Sequence, residues 1–125
     1  MSGVTLDAGA MIALDRDDRR VIALLARAEE LGARVTVPAT ALAQAIRRPA
    51  EQARLSRLVR QPTTKVMALD GRDATQVGVL LAASRTRDIT DAHVILCARR
   101  HREPIVTSDH ADIQRLDPSA HIIVI

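Results

Sequence analysis

Four aspartates, Asp7, Asp91, Asp109 and Asp112, stand where the chain passes from an apolar run into a turn or a helix start. Carboxylates gathered in one crevice repel one another, so such a group either shares a proton or holds a cation. Oxygen donors alone suit a hard divalent ion, Mg²⁺ or Mn²⁺. The sequence offers neither a histidine and cysteine ligand set nor a glycine-rich phosphate loop to suggest other chemistry. An ion so held, alone or as one of two, activates a water and offsets charge on a phosphodiester, which points to metal-assisted hydrolysis. Aspartate is also common at these positions simply as a cap, so the reading depends on whether the fold brings the acids together.

Around these four stand lesser candidates. Asp112 follows Asp109 by three residues at the start of one helix, shares its face, and can serve as an auxiliary or second-ion ligand. Asp88 reads as a loop cap or an orienting group beside Asp91, and the hydroxyls of Thr107 and Ser108 can orient a water or touch the same ion. His93 lies two positions after Asp91 and so points to a different side of the helix. His110 and His121 read as surface or packing residues, although His110, beside Asp109, is near enough to reach a phosphate.

The elements that must position these groups alternate. Val4 to Leu6 is a short β-prone run that delivers Asp7 at its end, and a short helix is expected from Ala10 to Leu14. Val21, Leu24, Leu25, Ala28 and Leu31 recur at helical spacing, with Gly32 where a C′ glycine belongs. A strand over Arg34 to Val37 stops at Pro38, and helices follow over Ala39 to Arg47 and Glu51 to Arg60. Lys65 to Leu69 reads as a third strand, and Asp70 caps a helix from Arg72 to Ser84. Thr90 is the expected N-cap of the next helix, with Asp91 its first residue and Ile89 and Val94 forming a hydrophobic staple. Ile105 to Thr107, a helix from Ala111 to Leu116, and a strand over His121 to Ile125 complete the chain.

Such alternation implies an α/β fold with a five-stranded parallel sheet, helices on both faces, and right-handed connections. A ligand site in such a sheet lies beyond the carboxyl ends of the strands, where the strand order reverses. In the order 3-2-1-4-5, strands one and four are neighbours at that point, and Asp7 and Asp109 face one crevice with Asp91.

Composition narrows the partners. The 125 residues, 47% hydrophobic and 26% charged, suit one domain spanning 1-125. There is no apolar run of membrane-spanning length, and the start Met1-Ser2-Gly3-Val4 lacks the features of a signal peptide, so a cytoplasmic protein with no membrane partner is expected. Cys97, the single cysteine, cannot form an internal disulfide and reads as a small buried apolar residue. The net charge is +3, and Lys65 is the only lysine, so nearly all positive charge is arginine. Arginine grips phosphate in bidentate fashion, while codon bias in a GC-rich genome gives the same composition. Arg47, Arg48, Arg54, Arg57 and Arg60 form the basic outer face of one helical stretch, read as solvated or as phosphate-binding. The absence of Phe, Tyr and Trp removes aromatic base stacking, so any nucleic acid must be held by arginine.

The set Val4-Thr5-Leu6-Asp7-Ala8-Gly9-Ala10, Val37-Pro38-Ala39 leading a helix, Asp91-Ala92-His93 and Val106-Thr107-Ser108-Asp109 resembles the PIN-domain family, particularly the VapC-like ribonuclease toxins of type II toxin-antitoxin modules. The resemblance covers essentially the whole chain. It implies a three-layer α/β/α PIN-like fold and Mg²⁺- or Mn²⁺-dependent RNA cleavage. It also implies a homodimer and neutralisation by a small antitoxin in the active-site groove. Asp7, Asp91 and Asp109 would be the metal ligands, with Asp112 secondary. The chain departs from the family at one place: a glutamate usually stands on the helix after the Pro-Ala pair, and the matching residue is Gln44. Glutamine keeps one acceptor oxygen but loses the charge and cannot act as a base. The alternative function is therefore a catalytically weakened PIN-like module that binds RNA or protein. A phosphate-accepting receiver-like domain fits poorly, because Asp70 can pass for the acceptor but no lysine follows the fifth strand. An Asp-x-Asp phosphatase fails because Gly9 stands two residues after Asp7.

Overall fold

Five short runs rich in Val, Ile and Thr pair side by side as a parallel sheet in the order β3-β2-β1-β4-β5. The structure, a computed structural model, describes residues 3–125; Met1 and Ser2, part of the stretch read above as lacking a signal peptide, lie outside the described residues. The strands are β1 (Gly3–Leu6), β2 (Arg34–Pro38), β3 (Thr64–Met67), β4 (Ile105–Thr107) and β5 (Ile122–Val124). The helices are α1 (Ala8–Asp15), α2 (Arg19–Glu30), α3 (Ala39–Ala45), α4 (Ala53–Arg60), α5 (Gly71–Ser84), α6 (Ile89–His101) and α7 (His110–Leu116). Among the described residues no helix is long and apolar enough to cross a membrane.

The central strand β1 pairs with β2 through Thr5 opposite Thr36, and with β4 through Leu6 opposite Val106. From β1 the chain steps outward to β2 and β3, crosses back through α5 and α6, and then steps to β4 and β5. Right-handed crossovers of opposite direction put the helices of the two halves on opposite faces. The strand order thus reverses between β1 and β4, as the alternation of elements predicts.

With no aromatic side chain to use, the core is built from branched aliphatics and alanine: Val4, Leu6, Met11, Val21, Val37, Leu55, Ile95, Ile105 and Ile113 are almost entirely buried. Each such side chain contributes about 1.5–3 kcal/mol through removal from water. Cys97 is buried on α6, and burial pushes its thiol up to about 11, so it serves as an apolar core residue.

Several boundaries differ from the sequence reading. The helix expected over Ala39 to Arg47 ends at Ala45, and the one expected from Glu51 begins at Ala53 after a 3₁₀ turn over Pro49–Glu51. Gln52 explains both. Its buried carboxamide accepts from the amides of Arg47 (2.9 Å) and Arg48 (3.1 Å) and donates to the Ala45 carbonyl (3.0 Å), replacing the helical partners these groups lose. The third strand runs Thr64–Met67 rather than to Leu69, because its pairing with β2 stops where Pro38 faces Met67. Finally, Asp88, not Thr90, caps α6: its carboxylate accepts the Asp91 amide at 2.9 Å. Asp91 is therefore the third helical residue rather than the first, and Ile89, being inside the helix, cannot form the expected staple.

Candidate active site

Asp7 leaves β1 and is fixed from both sides. Its amide donates to the Val106 carbonyl at 3.2 Å, which ties it to β4, and its Oδ1 accepts the Ala10 amide at 2.8 Å as the N-cap of α1. The Thr107 hydroxyl lies close enough to the same carboxylate to favour its charged form, and it accepts the Asp109 amide at 2.9 Å. Gly9 permits the close approach of these two turns, since a Cβ there would run into Ser108 Oγ. Asp109 caps α7 through the Asp112 amide at 3.4 Å, and Asp112 itself reaches Arg115 at 3.4 Å.

Asp91 comes from the first turn of α6. A buried contact not evident in the sequence seats that helix. His93 is fully buried, and its Nδ1 lies 2.7 Å from the hydroxyl of Thr40 on α3. Burial pushes the imidazole below its ordinary value, which keeps it neutral. His93 does point away from Asp91's side of the helix, as its spacing implies, and it clamps α6 to α3 beside the carboxyl edge of the sheet.

The electrostatics mark these acids as a group. Burial pushes the Asp7 carboxyl above its ordinary value, opposed by the Thr107 hydroxyl and the Ala10 amide and reinforced by the charge of Asp109. Asp91 is pushed up to about 7, first by burial, then by the charge of Asp88 and a side-chain hydrogen bond to it, then by the charges of Asp7 and Asp112. The Asp88 carboxylate beside it thus favours the protonated form of Asp91. Among the described residues no cationic side chain lies within ion-pair distance of Asp7, Asp88, Asp91 or Asp109. Perturbed carboxylates without a counter-charge are what a cation-binding or acid-base site requires. Among the described residues no three acidic, histidine or cysteine side chains are drawn together into a ready metal centre. The donor set nonetheless fits a hard divalent cation: every donor is oxygen, and mutual repulsion leaves the carboxylates in need of positive charge.

Asp7, Asp91, Asp109, Asp112 and Asp88 thus lie within electrostatic reach of at least one other member, with Thr107 bonded to the Asp109 amide and Ser108 packed against Gly9. Gln44 is apart from them in character, being exposed on α3 with no side-chain hydrogen bond among the described residues. His110 and His121 are exposed. Asp88, Asp91 and Asp112 line a groove of about 440 Å³ together with Arg85, Arg87 and Arg115.

No curated protein matches this sequence. The family model described as the PIN domain matches residues 4–117, a span running from β1 past the end of α7 and containing every acid named above. Members of that family are generally nucleases that bind RNA. With that match over most of its length and a parallel sheet in the order 3-2-1-4-5, the chain belongs to the PIN-domain family.

Proposed function

We propose that this protein is a metal-dependent endoribonuclease of the VapC-like toxin kind, acting as a homodimer and held silent by a cognate antitoxin. The observation that carries the enzyme reading is Asp91: a carboxylate raised to about 7 by burial and by three neighbouring acids, with no cationic partner among the described residues. Toxin activity, dimerisation and antitoxin control rest on the resemblance of the motifs.

Asp7, Asp91 and Asp109 would hold Mg²⁺ or Mn²⁺, with Asp112 as an auxiliary ligand. The bound cation would supply water activation and neutralise charge on the phosphodiester. Asp91 would have to lose its proton to serve as a ligand, which ties occupancy to pH. Thr107 fixes the backbone turn that presents Asp109, and Ser108 is near enough to Gly9 and Asp7 to orient a water.

A mixed RNA pool incubated with Mn²⁺ tests the proposal. Cleavage is expected from the wild-type protein and at least a hundredfold less from Asp91→Asn, the scale set by loss of a group acting directly on the reacting centre. The second reading, a weakened binding module, is favoured by the uncharged Gln44. It would be upheld by metal-independent RNA binding with no cleavage.

A further inference from the structure

The loop between α5 and α6 carries two arginines into the groove that also holds Asp88 and Asp91. Its shape is fixed at both ends. Arg85 caps α5 in the left-handed conformation (φ 58°), the Thr86 amide reaches the Leu81 carbonyl at 3.1 Å, and the Ser84 and Thr86 hydroxyls are 2.9 Å apart. At the other end Asp88 is committed as the cap of α6. A residue with φ near 60° is most easily glycine, so an arginine there keeps its side chain at some conformational cost.

Opposite charges share this groove without cancelling. Among the described residues neither Arg85 nor Arg87 forms an ion pair, although Asp88 and Asp91 line the same walls. Arg115, from α7, completes the far wall and holds Asp112 only at 3.4 Å. The more obvious basic face behaves differently. Arg54 is tied to Asp17, Arg48 to Glu51, and Arg54 with Arg57 line a separate hollow beside Leu14 and Ile22 that contains none of the site aspartates.

We infer that Arg85, Arg87 and Arg115 grip the phosphate backbone of RNA and position it against Asp91. This assignment rests on the nuclease reading for its choice of substrate. A phosphodiester approaching a cluster of carboxylates is repelled unless cations flank its path, and the guanidinium groups of Arg85 and Arg87 on the loop, with that of Arg115 opposite, supply planar, bidentate contacts there. The groove volume of about 440 Å³ falls in the range of roughly 300–1,000 Å³ typical of small-molecule sites, enough for a nucleotide-sized segment. With no Phe, Tyr or Trp to serve as a large stacking platform, the grip falls on phosphate and is tolerant of sequence at these positions.

Fluorescence anisotropy with a short fluorescein-labelled single-stranded RNA of mixed sequence, without added metal, tests the assignment. Arg85→Gly keeps the left-handed cap, and Arg87→Ala and Arg115→Ala leave exposed backbone untouched. Each is expected to weaken binding roughly threefold to tenfold and to lower the slope of log affinity against log salt by about 0.7, the value for one phosphate contact on a single strand. Arg87→Lys should restore most of that slope, whereas Arg57→Ala should change neither quantity. Unchanged slopes in the groove variants, or polyglutamate competing as well as RNA at equal charge, would overturn the inference. Binding through these arginines with no cleavage in Mn²⁺ would defeat the nuclease reading alone. Cleavage with KM unaltered in all three variants would defeat the arginine assignment alone.

Discussion

Toward the amino ends of the strands, Glu103 is buried with its side chain wholly out of solvent and all of its needs met. It accepts from the hydroxyls of Thr5 (2.9 Å) and Thr36 (2.7 Å) and from Arg34 Nε (3.0 Å). Gly3 makes room for it, since a Cβ there would strike the carboxylate. At the carboxyl ends of the same strands, Asp7 is buried and Asp91 half-buried, and both face other acids. Burying a carboxylate is tolerated when hydrogen bonds and a counter-charge replace water, and is otherwise destabilising. One sheet therefore carries a finished acid site at one end and an unfinished one at the other. The unfinished end lies where the strand order reverses, so the missing positive charge is read as that of a ligand.

The sharpest way to break this contrast is to remove one acid from each end. Glu103→Ala strands two buried threonine hydroxyls and leaves Arg34 without its partner, and should destabilise the protein by about 3–5 kcal/mol, as for other broken buried pairs. Urea denaturation followed by circular dichroism measures it. A loss under about 1 kcal/mol would mean that the amino-end network is dispensable and the two ends are less unlike than they look.

Asp91→Asn should have the opposite sign. Asp91 titrates at about 7 in the folded chain against an ordinary 3.8, so the folded state binds the extra proton between those values. Its contribution is fully present below about pH 4 and is lost as pH rises through about 7, so the metal-free wild-type protein should weaken across that window. The asparagine side chain has no proton to lose. The variant should match the wild type near pH 4 and exceed it at pH 8 by about 1 kcal/mol, a figure reduced for the partial exposure of the group. Mn²⁺ should raise the wild-type melting temperature more at pH 8 than at pH 5, because protons compete for the carboxylates at the lower pH. Differential scanning fluorimetry in chelator and in Mn²⁺ gives all four comparisons. A variant less stable than wild type at pH 8 would show that Asp91 is a structural acid like Glu103.

The two ends also differ in how far they can be foreseen. Asp7, Asp91 and Asp109 stand at element ends, so local patterning and one topological rule suffice to suggest their common edge. The position of the α6 cap is ambiguous in sequence because Thr90 and Asp88 both have cap chemistry, and only the bond to the Asp91 amide decides between them. Glu103 gives no such signal: its hydroxyl partners lie 98 and 67 residues away, and a glutamate before Pro104 reads as surface. The Thr40 to His93 clamp, across 53 residues, is equally silent. The groove arginines are visible only as composition, since which walls they line depends on how the α5 to α6 loop is set by its caps. Contacts made through sequence-distant side chains escape a one-dimensional reading, whereas those set by backbone period and strand order do not.

The smallest expected effect concerns Gln44, the one position where the sequence departs from the pattern of the resemblance. It lies on α3, which packs against α1 and α6, the helices whose first turns follow Asp7 and contain Asp91. Gln44 is exposed and its side chain hydrogen-bonded to nothing among the described residues, so exchanging it for glutamate breaks no existing side-chain hydrogen bond. If Gln44 belongs to the site, Gln44→Glu adds one negative charge to a group already short of positive charge. It should therefore leave metal-free stability nearly unchanged or slightly lower, and strengthen Mn²⁺ binding by roughly threefold to tenfold, since affinity for hard cations follows ligand charge. Isothermal titration calorimetry reads both affinity and stoichiometry. A rise in bound ions per chain would mean that the natural glutamine limits the site to one. Unchanged Mn²⁺ affinity would instead put Gln44 outside the site and leave Asp7, Asp91, Asp109 and Asp112 as the whole of the donor set.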